Sequence, residues 1–258
     1  MNKTPVDKKT GVICIMTKPK MIIFDYGHTL CYGDDFDNIR GQEAVMKHVI
    51  CNKNNLSAMD VCEFAQNFFD EIEHKVRNVD IEILGQISTR LMYEYLQIDF
   101  DIPLLEVEQI FWDAASPDTA MPNVIEVLDY LKDRSIRSGV ISNMSFSSQN
   151  LTDRINTLLP NNEFEFVITS SEYVYRKPTK ILFELALRKS ELLSDDVWYC
   201  GDNTRCDVYG ASSVGIFPVW FHSEIECSYR DKHLDVTPTC DHLYIRDWLE
   251  LIEVLDKL

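Results

Sequence analysis

The feature that most constrains the fold of this chain is a regular alternation of strand-like and helix-like segments in its second half. Short apolar runs such as 138–142 and 197–201 are separated by stretches of about ten residues with helical periodicity. Successive strands that are joined by helices require crossover connections, which make the strands parallel within one sheet. The alternation therefore predicts an α/β fold with a Rossmann-like, three-layer parallel sheet core.

Core strands are predicted at five segments: 20–25, 138–142, 164–169, 197–201 and 216–221. Core helices are predicted at another five: 123–134, 150–159, 179–188, 207–214 and 246–258. In open sheets of this type, ligands bind beyond the carboxyl ends of the strands. Polar residues at those ends are therefore the first candidates for a functional site.

Residues 38–115 have a different pattern, with apolar residues three and four positions apart and no convincing strand. We therefore expect a catalytic core made of residues 20–32 and 118–258, and a helical cap at 33–117. Residues 1–19 are predicted to be a flexible N-terminal extension. Phe69, Phe111 and Trp112 lie at helical spacings, which predicts that they pack inside the cap.

The chain of 258 residues is acidic, with 25 Lys and Arg against 42 Asp and Glu and a formal net charge of -17. Such a surface repels nucleic-acid phosphates and anionic lipid, so neither kind of partner is expected. No apolar run is long enough to span a membrane. The acidic stretch 34–37 would disfavour highly anionic substrates if it lay near the mouth of a site.

Eight cysteines occur, and none forms a C-x-x-C pair. In a chain of this size they are predicted to be reduced thiols, as is typical of a cytoplasmic protein. The expected assembly is a monomer or a homodimer.

Polar residues follow four of the predicted strands. Asp25 ends the first strand, Ser142 and Asn143 end the second, Lys177 lies beyond the third, and an acidic loop at 201–207 follows the fourth. Neighbouring carboxylates repel each other unless a cation lies between them, and oxygen ligands with open positions suit Mg²⁺. An ammonium and a hydroxyl would bind phosphate oxygens, and the Asp25 carboxylate is a candidate nucleophile.

The order of these motifs resembles the haloacid dehalogenase (HAD) superfamily. The resemblance covers roughly 20–30 and 120–220, with the helical block in the place of that family's cap. The motifs are Ile22 to Leu30, Val140 to Asn143, Arg176 to Pro178, and Gly201 to Asp207.

The resemblance implies a role for each matching residue. Asp25 would be the nucleophile, Lys177 would neutralise it and the phosphate, and Ser142 and Asn143 would contact the substrate. Mg²⁺ would be bound by Asp25, the Gly27 carbonyl, Asp202 and Asp207, with Asp207 holding the metal shell or Lys177 in place. His28 is a further candidate substrate contact.

One position departs from the family's phosphatases, which carry a second Asp two residues after the nucleophile. Gly27 stands there and has no side chain to act as general acid and base, a contribution typically worth about 10²–10⁴-fold. The substrate would then have a good leaving group, or another group such as His28 or a cap residue would replace the acid, or the reaction would need none.

The resulting prediction is a Mg²⁺-dependent phosphatase of the HAD-like superfamily that acts on a small phosphorylated metabolite through an aspartyl-phosphate. A metal-independent 2-haloacid dehalogenase and a catalytically weak binding relative are the alternatives. The substrate itself is not predicted.

Overall fold

A computed structural model of the chain describes residues 16–33, 35–76, 79–223, 225 and 236–258. Most of the predicted N-terminal extension, residues 1–15, lies outside this described part, as does Asp34 of the acidic stretch.

Strands and helices alternate along most of the described chain. The strands are β1 (Met21–Phe24), β2 (Cys31–Tyr32), β3 (Val49–Asn52), β4 (Ile98–Phe100), β5 (Thr119–Ala120), β6 (Arg137–Ser142), β7 (Phe164–Thr169), β8 (Val197–Gly201), β9 (Phe217–Phe221) and β10 (Leu243–Ile245). The helices are α1 (Asn38–Met46), α2 (Ala58–Val76), α3 (Gly85–Leu96), α4 (Leu104–Ala115), α5 (Val124–Asp133), α6 (Ser148–Leu158), α7 (Ser170–Tyr173), α8 (Lys180–Ser190), α9 (Gly210–Ser212) and α10 (Trp248–Asp256).

Six strands form one sheet in the order β10–β9–β8–β1–β6–β7, and each neighbouring pair is parallel. All five predicted core strands form, with bounds within one residue of those expected from the sequence. β10 was not among them, because three residues give too short a pattern to recognise.

The sheet is buried on both faces. Ile22 and Phe24 of β1 pack on one face in a cluster that includes Trp248 of α10, and Phe24 contacts that indole edge to face. Met21 and Ile23 pack on the other face in a cluster that includes Phe183 of α8. Burial on both faces explains why β1 is continuously apolar and not alternating. The predicted three-layer α/β core is confirmed.

Helices α1 to α4 surround a separate apolar cluster that contains Val45, Val61, Met92 and Val107. This block also contains a small antiparallel sheet of β3 and β4. The expectation that the block has no strand is therefore wrong. The two strands are short and are separated in the chain by α2 and α3, so no local pattern announces their pairing. None of the helices in the described ranges has the length and hydropathy of a membrane span.

A buried ion pair joins the helical block to the sheet. Asp118 accepts hydrogen bonds from Arg154 Nε at 2.9 Å and from Tyr26 OH at 2.7 Å. The Arg154 guanidinium lies 4.4 Å from the ring centre of Trp112, on α4, and also binds the carbonyl oxygen of Ser116. Since Tyr26 directly follows the predicted nucleophile, this network anchors the start of the catalytic loop.

We expect Asp118→Ala to lower the free energy of unfolding by about 3 kcal/mol, because it leaves the buried Arg154 guanidinium without its buried partner. Asp113 is the matched control, since it pairs with the same guanidinium at 2.9 Å but is 57% exposed. Asp113→Ala should cost less than about 1 kcal/mol. Urea denaturation measures both values, and equal losses would contradict the assignment.

Candidate active site

Three strand ends meet at the centre of the sheet. Asp25 follows β1, Ser142 ends β6, and Asp202 follows β8. Because β1 lies between β6 and β8 in parallel register, their carboxyl ends are adjacent. The convergence expected from the sequence is present.

The Lys177 ammonium lies at the middle of this cluster and is 2% exposed. Its Nζ lies 2.7 Å from Asp25 Oδ1, 2.7 Å from Asp207 Oδ1, 2.8 Å from Tyr199 OH and 3.1 Å from the carbonyl oxygen of Ile141. An ammonium has three protons for these four oxygens, so the group is fully satisfied and held in one position.

Asn143 holds the backbone of Lys177. Its side-chain oxygen accepts from Lys177 N at 2.7 Å, and its side-chain nitrogen donates to Lys177 O at 2.9 Å. The structure thus brings Asn143 to the site, but both ends of its amide bind protein backbone. This geometry favours a positioning role over the predicted substrate contact.

The charges of the cluster shift each other's ionisation. Burial raises the pKa of Asp25 to about 6, and Asp207 adds to this rise while Lys177 opposes it. Burial alone would lower the pKa of Lys177, but the carboxylates of Asp207 and Asp25 outweigh that effect and raise it. Burial and Asp207 also raise the pKa of Tyr199, so its hydroxyl stays neutral.

Three carboxylates form a group with the donor chemistry of a magnesium site. One oxygen each from Asp25, Asp202 and Asp207 lies within 4.8 Å of the others. Oxygen ligands of this kind suit Mg²⁺. This donor set fits the metal predicted from the sequence.

Asp207 is the most constrained of the three. Its Oδ1 contacts Lys177 and Tyr199, and its Oδ2 accepts from Asn203 N at 2.9 Å. A Cβ at Gly201 would lie 2.5 Å from Asp207 Cβ, so this close approach requires glycine. A π-helical turn at Thr204–Tyr209, where a regular helix was predicted from residue 207, carries Asp207. Such turns are frequent at functional sites.

The family of the chain follows from a sequence match that spans residues 50–221, to the family described as haloacid dehalogenase-like hydrolase. The chain belongs to this family. The resemblance to HAD proteins and the prediction of a hydrolase are thereby confirmed.

Two curated relatives of this HAD-like hydrolase are named glyceraldehyde 3-phosphate phosphatase. The one from Pyrococcus furiosus is 24% identical over 94% of this chain and 95% of its own length. The one from Methanothermobacter thermautotrophicus is 30% identical, over 50% of this chain and 58% of its own length. The chain thus matches little more than half of this second relative.

Solved structures share the fold. A HAD phosphatase from Thermococcus onnurineus has a TM-score of 0.58 at 20% identity, covering 91% of this chain and 97% of its own. A 2-haloacid dehalogenase from Pseudomonas syringae has a TM-score of 0.54 at 20% identity, covering 93% of this chain and 99% of its own. At these identities the likeness concerns the fold alone.

The loop after Asp25 has two unusual residues for a HAD-like hydrolase. A side-chain carbon at Gly27 would meet no atom within 4 Å, so packing does not demand glycine there. His28 has a φ of 56°, in the left-handed region that non-glycine residues rarely adopt. Its backbone N–H donates to Cys31 O at 2.8 Å, which closes the turn.

Tyr199 is a site residue that sequence reasoning missed. Besides contacting Lys177, its hydroxyl donates to Ile141 O at 3.0 Å. The available signal was a hydroxyl-bearing residue inside the fully buried strand β8. A buried Tyr usually needs a hydrogen-bond partner, so its position three residues before Asp202 could have indicated it.

The chain just before Lys177 also contacts the helical block. Ile81 and Tyr175 form an antiparallel β-bridge, and Glu82 N donates to Val174 O at 2.6 Å. The Glu82 carboxylate, itself 6% exposed, pairs with Arg176. The connection before α3 therefore lies directly against the segment that carries the lysine.

Two neighbouring carboxylates should have opposite effects on stability. Since the pKa of Asp25 is raised to about 6 in the folded chain, keeping it ionised costs folded-state stability at higher pH. Asp25→Asn should therefore raise the free energy of unfolding of the metal-free protein at pH 7.5, by about 1–3 kcal/mol. Asp207→Asn should lower it by about 2 kcal/mol, because an amide N–H would face Lys177.

Denaturation with urea in the presence of a chelator measures both effects. The Asp25 effect should vanish at pH 3.5, where the carboxyl is protonated in the folded chain. Destabilisation by Asp25→Asn at pH 7.5 would contradict this account of the cluster.

Proposed function

We propose that this HAD-like hydrolase is a Mg²⁺-dependent phosphatase that acts on a small phosphorylated metabolite through an aspartyl-phosphate on Asp25. The observation that carries the proposal is the buried Lys177 ammonium between Asp25 and Asp207, with the Asp202 carboxylate beside them. The names of the two curated relatives support a phosphate ester as the substrate.

The reaction uses the groups at the strand ends. A carboxylate oxygen of Asp25 attacks phosphorus, a new P–O bond forms, and the bond to the leaving oxygen breaks. Water then attacks the aspartyl-phosphate, which releases inorganic phosphate and restores the carboxylate. Lys177 offsets charge on the nucleophile and on the transferring phosphoryl group, and Ser142 offers a hydroxyl donor.

The residues that would hold Mg²⁺ are Asp25, Asp202 and the Gly27 carbonyl, with Asp207 supporting them. When bound, the metal neutralises the charge of the phosphate oxygens and of the carboxylates. Because both oxygens of Asp207 accept hydrogen bonds from the protein, we assign Asp207 chiefly to holding Lys177 and the turn at Asn203.

The helical block is proposed to act as a cap, with the boundaries 33–117 expected from the sequence. It has its own apolar cluster and contacts the core beside Lys177. A cap in this place would exclude water from the site and contact the organic half of the substrate.

The test is a panel of phosphorylated metabolites assayed for phosphate release with Mg²⁺ and with a chelator. We expect release only with the metal and its loss in Asp25→Asn. Activity that survives thorough chelation would refute the metal dependence. The dehalogenase alternative, which the shared fold of the Pseudomonas protein keeps in view, predicts halide release from 2-chloropropionate without metal.

Gly27→Asp is expected to raise kcat on alkyl phosphates, by up to about 10²-fold, by supplying the missing proton donor. The open space at Gly27 accommodates the new side chain. The gain should be smaller on p-nitrophenyl phosphate, whose leaving group needs no proton.

Gly27→Asn is the matched control, because it has the same size but no carboxyl to transfer a proton. Equal rates for both variants and the parent would mean that another group already serves as the acid. His28→Asn then tests that group, since Asn tolerates the left-handed backbone.

A further inference from the structure

A cavity of about 1340 Å³ lies between the helical block and the core. Its lining includes the loop 26–28, which follows Asp25, and the loop 144–146, which follows Asn143. Side chains of α1, α2, α3 and α4 form the rest of its wall. The cavity therefore adjoins the two loops that leave the catalytic strand ends, where the organic half of a substrate would lie.

The charge of this cavity has one sign. Among the described residues that line it, the carboxylates are Asp35, Asp37, Glu63, Glu82, Glu108 and Asp118, and there is no Lys or Arg. Glu82 and Asp118 are neutralised by Arg176 and Arg154. The others give a negative potential, which opposes a second phosphate or carboxylate on the ligand.

Glu108 of α4 presents an acceptor to the cavity. It is 8% exposed, and its Oε2 accepts from Ser147 Oγ, Ser147 N and Asn150 Nδ2. Its Oε1 is buried and has no hydrogen-bond partner among the described residues. A buried acceptor without a partner is costly, so the site is suited to a ligand that donates to it.

Gln42 of α1 presents a donor. It is 3% exposed, and its Oε1 accepts from Tyr93 OH at 2.8 Å. Its Nε2 is buried and has no hydrogen-bond partner among the described residues. The bond from Tyr93 fixes which end of the amide is engaged, and the nitrogen remains for a ligand acceptor.

Aromatic rings complete the wall. Trp112 and Phe146 stack with ring centres 4.2 Å apart, and Phe69 and Phe111 also line the cavity. Sequence analysis predicted Phe69, Phe111 and Trp112 only as packing residues, but they also offer apolar surface to a carbon skeleton.

We propose that this cavity selects phosphate monoesters whose organic half bears no second anion, with Gln42 Nε2 donating to an acceptor and Glu108 Oε1 accepting from a hydroxyl or ammonium. The selection rests on the proposed phosphatase activity. It makes Gln42 and Glu108 specificity-determining residues.

Substrate pairs with matched skeletons test the selection. We expect kcat/KM at least about tenfold higher for glyceraldehyde 3-phosphate than for 3-phosphoglycerate, and for ribulose 5-phosphate than for ribulose 1,5-bisphosphate. Equal or inverse preferences with clear phosphate release would overturn the selection and leave the phosphatase proposal standing.

Binding of the same compounds to Asp25→Asn, measured by calorimetry, tests the selection without turnover. The expected order of affinity is the same. If no compound releases phosphate from the parent, the proposed function fails, while the order of affinity still decides the selection.

Glu108→Gln should reduce the preference for the less anionic member of each pair by about tenfold, through KM more than kcat. Glu106→Gln is the matched control, because it removes a charge from an exposed position of the same helix outside the cavity. An unchanged preference in a folded Glu108→Gln protein would overturn the role of Glu108.

Two further comparisons separate the contacts. Gln42→Met should raise KM for glyceraldehyde 3-phosphate more than for ethyl phosphate, which has no acceptor beyond its phosphate ester. Comparing 2-aminoethyl phosphate with 2-hydroxyethyl phosphate identifies the donor, and Glu108→Gln should abolish whichever preference the parent shows. Equal KM increases for both substrates would overturn the role of Gln42.

Discussion

The buried Lys177 ammonium is the interaction on which the site depends. Each of the three central strands supplies it with an oxygen: Asp25 after β1, Ile141 O in β6 and Tyr199 OH in β8. Asp207, after β8, supplies the fourth. Because these oxygens come from strands in fixed parallel register, the position of the cation is a consequence of the sheet itself.

This arrangement places more negative than positive charge in a buried space. Three carboxylates surround one ammonium, and burial raises the pKa of Asp25 to about 6 as a result. A protein built only for stability would not keep such an excess. The excess is understandable if the site is completed by a cation and then meets a phosphate, and the open space at Gly27 shows that packing did not remove the missing acid.

The core and the catalytic residues could be predicted because their signals are local. Burial on both faces makes strands such as β1 and β8 continuously apolar, and the strand-end motifs located Asp25, Lys177 and Asp202. Other features depend on partners far away in the sequence: the β3–β4 pair, the ion pair of Asp118 with Arg154, and the contacts of Tyr199. No periodicity or spacing marks a side chain whose partner is brought to it only by the folded chain.

The contacts of the helical block connect substrate selection with catalysis. On one side, Ile81 and Glu82 bind the segment just before Lys177. On the other, Glu108 binds Ser147, which caps α6 after the loop that leaves Ser142. The block therefore touches both loops that hold the phosphate end of the site. If it moves as a cap, movement must break contacts beside the catalytic lysine, so that the complete site and the enclosed cavity would exist in the same conformation.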